Sequence, residues 1–139
     1  MYTSKIFVTV DNVVIRKNGG FKEILLIKRL NNPFKDYWAL PGGFVDESED
    51  LKTAAKRELL EETSIVVNDI EQIGAYGTPG RDPRSHIVSI AYFCEIDISI
   101  EAIAADDAKE VKWFKIDALP PTAFDHIDII NDAIKKFQL

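Results

Sequence analysis

An α/β domain, with a mixed β-sheet held between helices, is the fold class this sequence predicts. Two segments rich in Val and Ile flank Asn18-Gly19-Gly20, the pattern of a β-hairpin closed by a glycine turn. An amphipathic stretch at residues 47–63 lies between strand-like segments, and a second amphipathic stretch closes the chain at residues 123–137. With 139 residues the chain is long enough for one core and too short for two ordinary domains, so a single domain over residues 1–139 is expected.

Taken in order, residues 5–16 read as the first strand and residues 23–29 as the second. Asn31-Asn32-Pro33 marks a loop, which leads through Tyr37-Trp38-Ala39-Leu40 to a turn at Pro41-Gly42-Gly43. A helix over about residues 47–63 follows, with Asp46 or Ser48 as its cap. Residues 65–77, 86–97 and 110–116 read as further strands, and residues 123–137 as the closing helix. No repeat, linker or low-complexity segment interrupts them.

Composition narrows the function classes. A hydrophobic fraction of 46% with 29% charged residues describes an ordinary globular protein. The net charge of −6 is spread along the chain and provides no basic stripe to replace counterions, so nucleic acid is not an expected partner. A nucleotide ligand stays open, because a metal can supply positive charge locally. No apolar run approaches the roughly 18 residues of a membrane span, and no signal-peptide pattern opens the chain. The single Cys94, set in the apolar run Ser89-Ile90-Ala91-Tyr92-Phe93-Cys94, reads as a buried structural thiol of a reducing, cytoplasmic protein. Trp113 reads as core, and His86 as a structural hydrogen-bonding residue at a strand start.

The chemistry concentrates between Gly43 and Ile65. Glu58, Glu61 and Glu62 fall at i, i+3 and i+4, which stacks them on one helix face together with Leu51, Ala54 and Ala55. Lys52, Thr53, Lys56 and Arg57 take the other side. Carboxylates on the stripe that meets the protein body repel one another and lose hydration, so they call for a cation. No lysine lies three or four residues beyond Glu58 or Glu61, and Arg57, at i, i+4 to Glu61, can orient one carboxylate without neutralising the set. An all-oxygen set suits a hard divalent ion such as Mg²⁺, which keeps waters and can also engage phosphate.

These residues resemble the Nudix box, G-x5-E-x7-R-E-U-x-E-E-x-G-U, where U is a bulky aliphatic residue. Gly43, Glu49, Arg57, Glu58, Leu59, Glu61, Glu62 and Ile65 fall in register, and Ser64 replaces the second glycine. Serine in a left-handed conformation there costs about 1 kcal/mol, and an altered helix exit is expected. The resemblance implies the family's α/β/α sandwich over nearly the whole chain and hydrolysis of nucleoside diphosphates linked to another moiety. It also implies Arg57, Glu58, Glu61 and Glu62 as catalytic residues. The metal set would be Glu58, Glu61 and Glu62 with a backbone carbonyl at Gly42 or Gly43, and the ion Mg²⁺ with Mn²⁺ as alternative. The general base is expected to be Glu58, with Asp106, Asp107 or Glu110 as alternatives. Many members are dimers, so a homodimer is among the expectations.

Substrate choice must come from outside the box. The loop Gly77-Thr78-Pro79-Gly80-Arg81-Asp82-Pro83-Arg84-Ser85-His86 places two arginines between strands, and guanidinium forks suit phosphate oxygens. This loop and Leu40-Pro41-Gly42-Gly43-Phe44-Val45 resemble segments of ADP-ribose pyrophosphatases, as do Asp106-Asp107-Ala108 and Ala123-Phe124-Asp125-His126. Arg81, Arg84, Phe44 and Arg29 form the expected substrate-binding set. Tyr37, Trp38 and Tyr76 join Phe44 as aromatic candidates for holding a base. The alternatives are cleansing of oxidised nucleoside triphosphates and a non-catalytic sensor of ADP-ribose. Sensors of this family carry an added winged-helix domain, and with the chain ending at Leu139 an enzyme is the expected reading.

Overall fold

The computed structural model describes residues 3–139. Strand β1 (Ile6–Asn18) is its axis, and the stretch from Thr9 to Ile15 is buried on both faces, as a central strand between helices requires. The turn at Gly19-Gly20 reverses the chain into β2 (Phe21–Arg29), which pairs antiparallel with β1 from Asn18↔Phe21 to Ile15↔Ile24. Gly19 sits at φ 62, the left-handed conformation such a short connection demands. Along its other edge β1 runs parallel with β6 (His86–Glu95), from Ile6↔His86 to Ile15↔Glu95.

Short strands β3 (Trp38–Ala39) and β4 (Gly42–Phe44) add to β2 and β1 respectively, while β5 (Glu71–Tyr76) pairs with β6 and β7 (Ala108–Lys115) with β2. The sheet order is β3-β2-β1-β6-β5, with β4 and β7 off that path. Alternation along the strands then builds two cores. Val10, Val14 and Leu25 pack with Ala54, Ala55 and Leu59 of helix α1 (Leu51–Thr63). Val13, Ile15, Ile24 and Leu26 pack with Ile129, Ile130 and Ala133 of helix α2 (His126–Phe137) on the opposite face. One helix on each side of a mixed sheet is the expected α/β/α sandwich.

Several boundaries differ from the sequence-based expectation. Helix α1 begins at Leu51, and its cap is Asp50, which accepts the Thr53 N–H at 3.3 Å, in place of Asp46 or Ser48. Ser48 stands at φ 61 and so interrupts any earlier helical turn. The Glu49 carboxylate accepts the Asp46 N–H at 3.0 Å and closes a tight turn there. Gly42-Gly43 is strand β4 and not a free turn. The fifth strand starts at Glu71, because residues 65–70 cross the α1 face with Ile65 and Ile70 anchored in its core. Helix α2 starts at His126, since Phe124 lies at φ 53 and Ala123 donates its N–H to the Trp38 carbonyl.

Other readings hold. Cys94 is a buried free thiol, pushed up to about 12 by that burial. Trp113 packs against the α1-side core beneath the Arg16 guanidinium, and His86 lies 2.9 Å from the Gly77 carbonyl. Among the described residues, no helix is long and apolar enough to cross a membrane.

Candidate active site

Where β1, β4 and α1 meet, the sheet opens into a cavity of about 350 Å³. Its wall on the helix side carries Glu58 and Glu62, four residues and therefore about one turn apart. Glu62 is 4% exposed, and its Oε1 accepts the Gly42 N–H at 2.7 Å. Burial, followed by the neighbouring charges of Glu58, Asp11 and Asp107, pushes its carboxyl up to about 8 despite that hydrogen bond. Burial also raises Glu58, against the opposing pull of Arg57.

The two glycines let the main chain reach these acids. A Cβ on Gly43 would stand 2.5–2.6 Å from the Glu58 carboxyl group, and one on Gly42 would collide with the Val10 carbonyl at 2.0 Å. Asn12 holds the same segment from beneath, its Nδ2 donating to the carbonyls of Pro41 at 3.2 Å and Ala55 at 3.0 Å. The strand carrying the glycines is thus tied to the helix carrying the acids.

Arg57 is the organiser of the acids rather than a residue of the wet face. Its Nε and Nη2 grip Glu49 at 2.7 and 2.9 Å, its Nη1 reaches Glu58 at 2.9 Å and Glu61 at 3.1 Å, and Nη2 also donates to the Phe44 carbonyl. This hydrogen-bonded fork, with the Asp46 N–H, holds Glu49 at about 2. Glu61, with its side chain 41% exposed, lies outside the cavity lining, whereas Asp46 lies in it. At about 100° per residue Glu61 sits on the far side of Glu58 from Glu62, which carries it toward solvent.

The chain fits a divalent cation in its donor chemistry. Glu58, Glu62 and Asp46 present oxygen to one cavity that no lysine lines, and two of the three are raised by burial, the condition a cation relieves. Among the described residues, no three His, Cys, Asp or Glu side chains converge as a ready-made metal cage.

Three arginines line the same cavity. Arg81, with a side chain 4% exposed, is held through Nε and Nη2 by Asp125 at 2.9 and 2.6 Å and reaches the Ile87 carbonyl at 3.4 Å. Asp125 therefore spends its carboxylate on Arg81 and makes no side-chain cap for α2. Arg84, 40% exposed, is paired with Asp82 at 2.7 and 3.0 Å, and its guanidinium lies 5.2 Å from the Phe44 ring and 5.6 Å from the Phe124 ring. Arg29 donates to the Pro33 carbonyl at 2.8 Å and lies 5.0 Å from the Phe124 ring. Burial and the nearby Arg84 hold Arg29 below its ordinary range.

Arg29, Arg81, Arg84, Phe44 and Asp107 all line the cavity, while Asp106, Glu110, Tyr37, Trp38 and Tyr76 do not. Tyr76 instead donates its hydroxyl to Asp132 of α2 at 2.7 Å, and Trp38 packs edge-on against Phe114.

The floor was not read from the sequence. Asp11 accepts a short hydrogen bond from the Ser89 hydroxyl, and His126 Nε2 stands 3.5 Å from its other oxygen. The Leu40 N–H donates to His126 Nδ1 at 3.0 Å, which leaves the ring proton on Nε2, toward Asp11. Burial pushes Asp11 up, but His126, Ser89 and Arg81 together bring it below its ordinary value. A single acid in the apolar run Val10-Asp11-Asn12-Val13 was the available signal, since a buried charge in a central strand needs a reason.

The model of the NUDIX domain matches residues 5–133. An ADP-ribose pyrophosphatase of Methanocaldococcus jannaschii is 44% identical over 128 residues, covering 92% of this chain and 73% of that protein. An ADPR-responsive transcriptional repressor of Acinetobacter baylyi is 39% identical over 132 residues, and the match spans 92% of this chain but only 53% of the repressor. The NUDIX domain of Shewanella oneidensis NrtR, solved with ADP ribose, superposes with a TM-score of 0.90 at 32% identity, covering 98% of this chain and 90% of that one.

Proposed function

The chain belongs to the Nudix family, and on that premise we propose that it hydrolyses the diphosphate bond of ADP-ribose, giving AMP and ribose 5-phosphate, with Mg²⁺ or Mn²⁺ as cofactor. One observation carries this reading: Glu58 and Glu62 line the same cavity as Arg29 and Arg84, so that acids for a cation and guanidinium groups for phosphate share one space. The names of the Methanocaldococcus jannaschii and Shewanella oneidensis proteins support ADP-ribose as the ligand.

Glu58 and Glu62, with Asp46 and a Gly42 or Gly43 carbonyl as further oxygen donors, would hold a divalent ion, which would supply charge neutralisation at the diphosphate and a more acidic water. The protein's own groups do the rest. Arg57 keeps Glu58 in its cavity-facing position, the Gly42 N–H keeps Glu62 in its position, and Arg84 and Arg29 draw the phosphates toward the acids. Glu58 is the proposed general base, and Asp107 is the alternative that shares the cavity. A net charge of −6 keeps the small nucleotide, and not nucleic acid, as the proposed partner.

A second reading, a sensor that binds ADP-ribose without cleaving it, draws on the Acinetobacter baylyi repressor. The buried acid pair favours turnover, because recognition of an anion gains nothing from two carboxylates. Incubation with ADP-ribose and Mg²⁺ followed by product chromatography separates the readings. AMP with ribose 5-phosphate is the expected result. Tight binding without products would establish the sensor, and release of pyrophosphate from a triphosphate in preference would establish a triphosphatase.

A further inference from the structure

We propose that Asp11 is a specificity-determining residue: its carboxylate, on the cavity floor beside Gly42, accepts hydroxyl groups of the moiety linked to the diphosphate and repels a phosphate in that place. The inference rests on the pyrophosphohydrolase reading and adds the choice of leaving moiety.

Asp11 is 6% exposed, and it lines the cavity, so what exposure it retains is toward that cavity. An ionised carboxylate offers about four acceptor positions and no donor. Here Ser89 fills one on Oδ2, and His126 approaches Oδ1 only at 3.5 Å. Acceptor capacity is therefore left over at the floor. Its neighbour Arg81 does not cancel the charge, because that guanidinium already grips Asp125 through two hydrogen bonds. Two carboxylates thus share one arginine, and the floor keeps a net negative charge.

Position makes this charge selective. A Cβ on Gly42 would lie 2.6 Å from Asp11 Oδ1, and the Gly42 N–H itself binds Glu62. The Asp11 oxygen is consequently one residue's width from Glu62, one of the acids proposed to hold the cation that engages the diphosphate. On this proposal the moiety attached to that diphosphate lies against Asp11, which lines the same cavity as Glu58 and Glu62. A sugar brings hydroxyl donors to unused lone pairs, whereas the additional phosphate of a triphosphate brings like charge into a partly dry cleft. Thr9, two residues earlier on the same face of β1, adds a hydroxyl to that floor.

The test compares kcat/KM for ADP-ribose and for ATP, with Mg²⁺, in the parent and in Asp11→Asn. The amide keeps the size of the side chain and an oxygen for Ser89, removes the charge, and puts an NH2 donor in place of the second oxygen. The parent is expected to prefer ADP-ribose, and the variant to raise the ratio of ATP to ADP-ribose turnover by at least about tenfold, the scale of one like-charge contact removed. An unmoved ratio, or both constants falling by the same factor as a packing defect would make them, overturns the proposal. A parent that prefers ATP overturns both this proposal and the function it rests on; a parent that prefers ADP-ribose beside an unmoved ratio overturns this one alone.

A second measurement needs no variant. Calorimetric titration of the parent with ADP-ribose and with ADP-ribose phosphorylated on its terminal ribose should show the phosphorylated compound binding at least about tenfold more weakly. Equal affinities would overturn the assignment of Asp11.

Discussion

Glu62→Gln should make the metal-free protein more stable at pH 8 while abolishing most of its turnover. Glu62 titrates near 4.5 in an unfolded chain and at about 8 in the folded one. Between those values the folded state binds the extra proton, so stability is fully present below about pH 4.5, falls as pH rises through the window, and levels off above 8. At about 1.4 kcal/mol per pH unit the full interval corresponds to roughly 5 kcal/mol. Relaxation and water entry shrink such costs in real proteins, and a drop of at least about 2 kcal/mol is expected. For a domain of this size that is about 6 °C or more in melting temperature.

Glutamine does not titrate, and its oxygen can still accept the Gly42 N–H. The assay is thermal unfolding of parent and variant in chelator from pH 5 to 8.5, repeated with Mg²⁺. The difference between the two proteins cancels every other titrating group. The variant should gain on the parent as pH rises, and Mg²⁺ should restore the parent and not the variant. A variant that is no more stable than the parent at pH 8 in chelator would refute the claim that ionising this buried carboxylate carries a cost that a cation relieves.

Four further outcomes can be checked. Gly43→Ala should leave the melting temperature within a few degrees and cut kcat at least about tenfold, because its methyl group displaces only the flexible end of Glu58; Gly42→Ala, facing the Val10 carbonyl, should instead lose stability by several kcal/mol, seen in denaturant titration. Arg84→Ala should raise KM for ADP-ribose several-fold with kcat nearly unchanged, and steady-state kinetics with an unaltered KM would remove Arg84 from the site. Ser64→Gly should stabilise by about 0.5–1 kcal/mol in denaturant titration with activity unchanged, since Ser64 closes α1 at φ 64 and touches nothing in the cavity.

The site was legible in the sequence where it is local and illegible where it is assembled from distant segments. Glu58 and Glu62 reach the cavity together because one helical turn separates them, a spacing visible without a structure. The same periodicity placed Glu61 with them, and only the Arg57 fork and the helix's orientation on the sheet send it outward. Arg57 was expected on the wet side, yet a long flexible stem lets its guanidinium return to Glu49, Glu58 and Glu61. The hairpin, the central strands and both helices followed from turn residues and apolar period. The start of α1 did not, because a left-handed Ser48 is a tertiary choice that no propensity announces. Asp11, Ser89 and His126 come from β1, β6 and α2, and their meeting requires the parallel register of two strands that no local pattern encodes.

That register also bears on how the molecule forms. Ile6 pairs with His86 and Ile15 with Glu95, so more than half of the chain must be looped back before the first of these bonds can close. Hairpin β1–β2 and helix α1, by contrast, use neighbours in sequence and can form early. Such non-local closure is slow as a rule, and it is the step expected to set the pace of folding. A half-finished chain would therefore display its acidic helix before any floor existed beneath it, and substitutions in β1 or β6 should delay maturation far more than equally disruptive ones in the 77–85 loop.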